Sequence, residues 1–443
     1  MAKVRQSKAK VRAGSTNRES GDILPGEEAP LSPEPTPMEP IPAEPTPVLR
    51  IPPPSFLAEA GLSAVLGSLP GARIVGGAVR DTLLARPVID IDLATAMPPA
   101  AVIAALEQAG LRAVPTGLSH GTVTAVGVGK SFEITALRHD IETDGRHAEV
   151  AFTSSWQADA SRRDFTLNAL YLTPAGAVFD YYGGLADLIS GRLRFVGRPE
   201  QRIAEDRLRV LRYFRFFAHY GQSAPDRATY EALKAAASEL GQLSAERVWS
   251  ELKRLLAAPD PSPALTLMRR AGILAAILPE ARELGALALL SALGAPPDPM
   301  LRLAALVGPG AASTVSSALA DRLRFSTAEA ERLARLLAGP VPSEAADAAE
   351  IRRLLAQEPA ETLIERTLLA GVGGLVGGRL RARLATTPRP VFPLAGRDAL
   401  ALGAREGPAV GAALGQVRAW WLAGGCVADP GACRAELLRR LGA

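Results

Sequence analysis

The pattern of apolar residues changes once along this 443-residue chain, near Ile203, and that change constrains the fold more than any other feature. Before it, short apolar runs typical of strands alternate with helical stretches, which indicates a small sheet. After it, the spacing stays helical to the end and is interrupted only by prolines. The Ala and Leu bias of this second half also favours helices. The sequence therefore predicts an α+β head with a small mixed sheet, followed by an all-α neck, body and tail.

Five segments follow from the composition and from the proline breaks. They are a disordered basic and Pro-rich arm over residues 1–54, a head over 55–182, a helical neck over 183–257, a helical body over 258–340 and a helical tail over 341–443. Residues 1–18 contain six Lys and Arg residues and no acid, and twelve of residues 25–54 are proline. Because such a segment lacks the apolar area that would offset the entropy lost on ordering, we expect the arm to be disordered.

The formal net charge of +4 comes from the arm and does not describe the folded part. Once the six basic residues of positions 1–18 are removed, 44 basic and 46 acidic residues remain, a net charge of −2. An argument for nucleic-acid binding must therefore rest on local clusters. Two cysteines cannot form a disulfide framework or a zinc quartet, and no apolar run reaches the roughly 18 residues of a membrane span. These features predict a cytoplasmic protein without membrane association.

A glycine pair and two aspartates mark neighbouring strand ends of the predicted head. Gly76 and Gly77 fall between a predicted strand and a predicted helix, where the backbone can approach an anionic ligand. Asp90 and Asp92 lie on the next predicted strand, residues 88–93, and residues two apart on a strand face the same side. Two such carboxylates repel each other unless they share a divalent cation, and oxygen ligands suit Mg²⁺. Taken alone, the two features are more typical of a plain turn and a solvated strand end.

Further motifs follow in a fixed order and change that interpretation. They are Thr116-Gly117…His120-Gly121-Thr122, Glu133 on a strand, Arg162-Arg163-Asp164…Asn168, Glu205-Asp206…Arg209 at the start of a helix, and Pro393…Gly396-Arg397-Asp398…Gly411 near the C-terminus. This ordered set resembles the class II tRNA nucleotidyltransferase and bacterial poly(A) polymerase family, and the last segment is similar to bacterial CCA-adding enzymes. The resemblance covers nearly all of the chain after the arm.

The resemblance implies a nucleotidyltransferase head that transfers CMP and AMP from CTP and ATP to the 3′ end of tRNA, with Mg²⁺ as cofactor. It implies that the metal ligands and catalytic residues are Asp90 and Asp92, that the triphosphate is held by Gly76, Gly77 and Arg80, and that the sugar and phosphates contact Arg162, Arg163 and Asp164. Glu133 is either a third catalytic carboxylate near the metals or a strand residue paired with an arginine. The helices that follow the head would bind the tRNA acceptor region through its shape and through contacts with its phosphates.

In the same family, Asp206 and Arg209 would recognise the base without a template. Cytosine and adenine both present an exocyclic amine beside an unprotonated ring nitrogen, which suit a carboxylate acceptor and a guanidinium donor. Guanine and uracil present a carbonyl and an N–H there instead, so one Asp/Arg pair can reject both. The alternative is an ordinary surface ion pair three residues apart on a helix. Eight arginines crowd residues 192–215, and we count Arg212 among the nucleotide-binding residues.

Other functions of the same scaffold stay open at this point. A poly(A) polymerase or an enzyme that adds only the terminal A would carry nearly the same motifs, and a non-catalytic RNA-binding protein would carry the scaffold alone. One local feature departs from the family pattern. Ala85-Arg86 stands where many relatives have Gly-Arg, so the turn there could differ. Residues 138–147 fall where the family has a flexible loop, and we expect a mobile loop there.

Overall fold

The computed structural model describes residues 46–127, 129–143, 148–308, 313–404 and 406–441, so the predicted arm lies outside the described residues as far as residue 45. The described part of the head contains one eight-stranded sheet and one separate two-stranded hairpin. The strands are β1 (Leu49–Arg50), β2 (Arg73–Val75), β3 (Asp92–Thr95), β4 (Arg112–Gly117), β5 (Thr122–Val126), β6 (Ser131–Ala136), β7 (Arg138–Thr143), β8 (Ala148–Phe152), β9 (Leu170–Leu172) and β10 (Ala177–Asp180).

Helices fill the gaps between strands in the head and make up the rest of the described chain. The first five helices are α1 (Ala60–Ser68), α2 (Gly77–Leu83), α3 (Pro99–Gln108), α4 (Trp156–Ser161) and α5 (Gly184–Ile189). Those that follow are α6 (Pro199–Glu205), α7 (Leu208–Tyr220), α8 (Arg227–Ala235), α9 (Ala245–Leu256), α10 (Ser262–Arg270), α11 (Ile273–Ile277), α12 (Gly285–Ala292), α13 (Pro299–Val307), α14 (Ser313–Leu323) and α15 (Thr327–Leu337). The last are α16 (Ala348–Gln357), α17 (Ala360–Leu369), α18 (Gly374–Thr386), α19 (Gly396–Ala401), α20 (Pro408–Ala423) and α21 (Pro430–Leu441).

The large sheet is mixed, in the order β1-β10-β9-β2-β3-β6-β5-β4. All neighbours in it are antiparallel except β3 and β6, which run parallel with Asp92 opposite Glu133. The predicted fold class, an α+β head with a mixed sheet followed by helices, is confirmed. No helix in the described part of the chain is long and apolar enough to span a membrane.

One continuous apolar core joins the sheet to the helices that follow it. Helix α7 is strongly amphipathic, and its buried face includes Val210, Leu211, Phe214 and Phe217, four residues at helical spacing. That face belongs to the same cluster as the sheet residues around Ile74. Most of the buried apolar residues from Ala346 onward form two further clusters, whereas Leu368 and Leu369 belong to the first one. Because its apolar face packs in this core, helix α7 has a fixed position relative to the sheet. The polar side chains on its other face are therefore held in place as well.

Two predictions about irregular segments are wrong. Leu49–Arg50, placed in the arm, forms an edge strand, because its backbone pairs with Val178 and Ala177 of β10. Residues 138–147, predicted as a loop, contain strand β7, which pairs with β8. The turn of this hairpin, residues 144–147, lies outside the described residues.

Candidate nucleotide-binding site

A cavity of about 480 Å³ lies between the sheet and helix α7. Ten of the twelve predicted site residues line it, namely Gly76, Gly77, Arg80, Asp92, Arg162, Arg163, Asp164, Asp206, Arg209 and Arg212. Asn168, Leu208, Phe216 and Arg247 also line it, and the motifs had not singled out the last three. We call this cavity the nucleotide pocket. It brings together segments that are more than 170 residues apart in the chain.

The turn at Gly76 shapes one end of the nucleotide pocket. Gly76 has a φ of +68° and a ψ of −123°, a backbone conformation open essentially to glycine alone. Its N–H donates to the Leu170 carbonyl at 3.3 Å, which ties the turn to β9. A side chain at Gly76 would also point at the Arg163 guanidinium, 3.9 Å away. Since 3.9 Å is an ordinary van der Waals distance, the glycine is required by the backbone conformation and not by the arginine.

Arg162 and Arg163 are held by Asp159, a residue that the sequence analysis missed. The Asp159 carboxylate is buried and accepts from Arg162 at 2.7 Å and from Arg163 at 2.9 Å. The Tyr171 hydroxyl donates to the same carboxylate at 2.7 Å. Burial by itself would raise the pKa of Asp159, but Arg163 and Arg162 outweigh burial and lower the pKa to about 2. Because Asp159 stays ionised, both guanidiniums keep their orientation in the pocket.

A second network crosses the floor of the nucleotide pocket. Arg212 Nε donates to Asp164 at 2.7 Å, and the Asn168 amide donates to the other carboxylate oxygen at 3.1 Å. Asn168 in turn accepts from Arg80 Nη1 at 2.7 Å. Burial would raise the pKa of Asp164, but Arg212 and Asn168 hold it below its usual range. Asp164 thus serves to orient Arg212, and Asn168 connects it to Arg80 at the glycine end.

The sequence suggests that Asp206 and Arg209 lie on one helix, but the structure does not place them in this way. Asp206 has extended backbone angles and lies between α6 and α7, where its carboxylate accepts from the Leu208 N–H at 3.0 Å. Its other oxygen pairs with Arg247 of α9 at 2.7 Å. Arg209 lies in the first turn of α7 and pairs with Glu205. Both residues still face the nucleotide pocket, each held by its own partner.

Asp90 and Glu133 line a second cavity, the acidic pocket, which has a volume of about 610 Å³. Asp92 lines both cavities and so marks the point where they meet. Strand β3 begins only at Asp92, so the prediction of one strand over residues 88–93 is wrong and Asp90 precedes the strand. Burial raises the pKa of Asp92, and the charges of Glu133 and Asp90 raise it further, against the effect of Arg163.

Comparison with known proteins agrees with this geometry. A family profile described as the poly A polymerase head domain matches residues 72–194, and one described as a probable RNA and SrmB-binding site of polymerase A matches residues 224–284. The mitochondrial CCA tRNA nucleotidyltransferase 1 of Mus musculus is 36% identical over 79% of this chain and 82% of its own length. The chain belongs to the CCA tRNA nucleotidyltransferase and poly(A) polymerase family.

Other members of the family match more locally or by fold. The CCA tRNA nucleotidyltransferase 1 of Danio rerio is 44% identical, but the match spans 45% of this chain and 47% of that enzyme. The crystal structure of the Bacillus stearothermophilus CCA-adding enzyme in complex with CTP has a TM-score of 0.70 at 27% identity, over 86% of this chain and 97% of its own. The Thermotoga maritima CCA-adding enzyme shares the fold, with a TM-score of 0.58 at 19% identity over 86% of this chain and 95% of its own.

Ala85, at which the sequence departs from the family pattern, has the backbone conformation of a glycine turn. Ala85 has a φ of +52°, the left-handed conformation that glycine adopts without strain. The next residue, Arg86, donates its backbone N–H to the Asp81 carbonyl at 2.8 Å and its side chain to the His219 carbonyl at 3.1 Å. Its guanidinium also lies 4.7 Å from the centre of the Tyr220 ring. Alanine therefore accepts backbone strain here, and Arg86 connects the turn to α7.

Proposed function

We propose that this chain is a CCA-adding tRNA nucleotidyltransferase, which transfers CMP from CTP and AMP from ATP to the 3′ end of tRNA and releases pyrophosphate. The observation that carries the proposal is the nucleotide pocket, where ten motif residues converge and which meets the acidic pocket at Asp92. The mouse relative, which covers 79% of this chain, supports the tRNA acceptor and both nucleotides through its name.

The nucleotide would lie with its triphosphate toward the glycine turn and its base toward α7. Gly76, Gly77 and Arg80 contact the phosphates, and Arg162 and Arg163, fixed by Asp159, contact the sugar and the α-phosphate side. Guanidiniums form charge-assisted hydrogen bonds to phosphate, and donors held in place beforehand lose little entropy on binding. The pocket would therefore hold the α-phosphate near Asp92.

Base selection rests on Asp206 and Arg209. The Asp206 carboxylate accepts from the exocyclic amine of cytosine or adenine, and Arg209 donates to the adjacent ring nitrogen. The partners Arg247 and Glu205 support this role because they hold the two side chains at the pocket wall. Guanine and uracil would place a carbonyl against the carboxylate, which leaves both groups without a donor and disfavours binding.

The donor set next to Asp92 is suited to Mg²⁺. Asp90, Asp92 and Glu133 offer only carboxylate oxygens, and burial together with the charges of Glu133 and Asp90 raises the pKa of Asp92. Within the described ranges, no three His, Cys, Asp or Glu side chains lie close enough to form a ready-made metal site. Mg²⁺ commonly takes one or two carboxylates and completes its shell with water and substrate phosphates. Asp90 and Asp92 would hold the ion, which when bound neutralises charge developing on the phosphates.

An extension assay tests the proposal. Full-length protein with Mg²⁺, CTP and ATP should extend a tRNA that lacks its CCA end by C, C and A and then stop. Asp92→Asn should reduce extension to background while its thermal unfolding temperature stays close to that of the wild type. Asp321→Asn, an exposed acid of α14, is the matched control and should extend normally. Absence of extension by the wild-type protein would refute the proposal.

The same assay with single nucleotides separates the related activities. Long A tracts on arbitrary RNA would identify a poly(A) polymerase, and use of ATP without CTP would identify an enzyme that adds only the terminal A. Asp206→Ala should lower the use of CTP and ATP far more than the use of UTP, because its carboxylate is the group that discriminates. Equal losses with all four nucleotides would contradict the role in base selection.

We also propose a cytoplasmic location. Both cysteines, Cys426 and Cys433, are free and buried, which is in keeping with a reducing compartment. The names of the mouse and zebrafish relatives include the word mitochondrial, so an organelle is the alternative. Fractionation of cells that express a tagged full-length chain distinguishes the two.

A further inference from the structure

A third cavity lies on the far side of Arg80 from the nucleotide pocket. It has a volume of about 290 Å³ and is lined by residues of α2, α7 and α9, among them Arg80, Arg215, Phe216, His219, Tyr220 and Arg254. We call it the arginine pocket. Arg80 and Phe216 line both the arginine pocket and the nucleotide pocket, so the two cavities share a wall.

Carboxylates do not balance the guanidiniums around the arginine pocket. Glu251 is buried and lies 3.0 Å from Arg215 and 3.9 Å from both Arg254 and Arg212. Arg212 has Asp164 as its main partner, at 2.7 Å. Arg215 and Arg254 are therefore left to share the single carboxylate of Glu251. The pocket carries a surplus of positive charge, which suits an anionic ligand.

Arg215 is the arginine that lies nearest to the shared carboxylate. Its Nε is buried and lies 3.0 Å from Glu251 Oε2, an ion pair whose geometry falls short of a hydrogen bond. Burial lowers the pKa of Arg215 to about 10, and the nearby Arg212 and Arg254 act in the same direction against Glu251. Glu251 therefore neutralises the buried Arg215, and the surplus charge lies with Arg254, whose side chain is 60% exposed and lies 3.9 Å from the same carboxylate.

The aromatic residues of this pocket do not offer a free face to a nucleobase. The guanidinium of Arg215 lies 4.4 Å from the centre of the Phe216 ring, and that of Arg80 lies 4.2 Å from the centre of the Tyr220 ring. Arg86 also stacks on Tyr220, at 4.7 Å. Because cations cover these rings, a base would have to displace them before it could stack. The ligand that fits is a small oxyanion rather than a second nucleotide.

The order of the three cavities identifies which oxyanion. The acidic pocket meets the nucleotide pocket at Asp92, and the arginine pocket meets it at Arg80. In phosphoryl transfer the attacking and leaving oxygens lie roughly in line through phosphorus, so the leaving group departs opposite the attacking hydroxyl. With the tRNA 3′-hydroxyl on the Asp92 side, pyrophosphate leaves toward Arg80. We propose that the arginine pocket binds this pyrophosphate after transfer, an inference that rests on the proposed function.

Calorimetry of the full-length protein with sodium pyrophosphate tests the inference without catalysis. The titration is made in buffer free of divalent cations and RNA, with CTP at saturation to fill the nucleotide pocket. We expect one equivalent of pyrophosphate to bind. Arg254→Gln should weaken this binding about tenfold, because one charge-assisted contact to phosphate is lost. Arg227→Gln is the control, since it removes one exposed arginine at the start of α8 and should leave the affinity unchanged.

Three outcomes would overturn the inference. The first is no pyrophosphate binding once CTP is bound, which would mean that both ligands use the nucleotide pocket. The second is equal affinity in Arg254→Gln and the wild type. The third is weakened tRNA binding in Arg254→Gln with pyrophosphate affinity unchanged, which would assign the pocket to an RNA phosphate. Since all three are measured without turnover, they are separate from failure of the extension assay, which tests the proposed function itself.

Discussion

Replacing Asp159 with asparagine removes the negative charge that holds two arginines of the nucleotide pocket. The carboxylate is almost fully buried, whereas Arg162 and Arg163 are 15% and 17% exposed. Asparagine keeps the size of the side chain but leaves both guanidiniums facing a neutral amide. Loss of one partner from a buried ion pair costs about 3–5 kcal/mol. Because the arginines retain some contact with water, we expect the lower end, about 3 kcal/mol, in the free energy of unfolding at pH 7.

The pH dependence provides a second measure of the same interaction. The pKa of Asp159 falls from 3.8 to about 2 on folding, since the arginines outweigh burial. A folded-state pKa below the unfolded one stabilises the fold at pH values above about 4, and this stabilisation is lost as the pH falls toward 2. The lowering corresponds to about 2.5 kcal/mol at neutral pH. The difference in stability between wild type and Asp159→Asn should therefore shrink as the pH falls below 4.

Urea unfolding at pH 7 and pH 3, together with nucleotide kinetics, checks this prediction. The KM for CTP should rise about tenfold or more, because Arg162 and Arg163 lose their fixed orientation. Asp187→Asn is the matched control: Asp187 is equally buried, accepts from Thr166 at 2.7 Å, and lies outside the residues that line the pocket. It should lose stability without a change in KM. A difference below about 1 kcal/mol at pH 7 for Asp159→Asn would refute the reasoning.

Two further substitutions test the fold around the site. Ala85→Gly should raise the free energy of unfolding by about 1 kcal/mol, because glycine adopts the observed φ of +52° without strain; urea unfolding showing a loss would contradict this. Arg302→Met should lower it by about 3 kcal/mol, since the buried guanidinium donates to the carbonyls of Leu256, Ala258 and Pro259 at the end of α9. A melting temperature equal to that of the wild type would show that water replaces these bonds.

Strand pairs that are complete within a short stretch of chain have a local signal in the sequence. The hairpins β5–β6 and β9–β10 both have alternating apolar residues with turn residues between them. Residues 88–91 have the same apolar character but do not form a strand. The reason is tertiary, because β2 has only three residues before the turn at Gly76, so it can pair only with Asp92, Leu93 and Ala94. Ile89 is consequently 87% exposed.

The partners of the site residues were predictable only where they are local. Asp159 lies three and four residues before Arg162 and Arg163, a spacing at which helical side chains meet, so the sequence contained the information. Arg247 is 41 residues from Asp206, and nothing in the local pattern connects them. The break between α6 and α7 at Asp206 had one indication, because aspartate is a preferred residue at helix starts. The motif identified the residues of the pocket, but only the packing of α9 against α7 supplies the contact with Arg247.

These pairings also explain why overall charge revealed nothing about the substrate. Each cationic side chain of the nucleotide pocket has a carboxylate within the protein, in the pairs Arg80–Asp81, Arg162–Asp159, Arg163–Asp159, Arg209–Glu205, Arg212–Asp164 and Arg247–Asp206. A near-neutral composition is what such a site requires. Binding of a triphosphate then depends less on net charge than on N–H donors already fixed at the pocket wall, since donors held in place lose little entropy when a ligand arrives. The arginine pocket differs on this point, because two of its guanidiniums share one carboxylate, and for that reason we assign it an anion of its own.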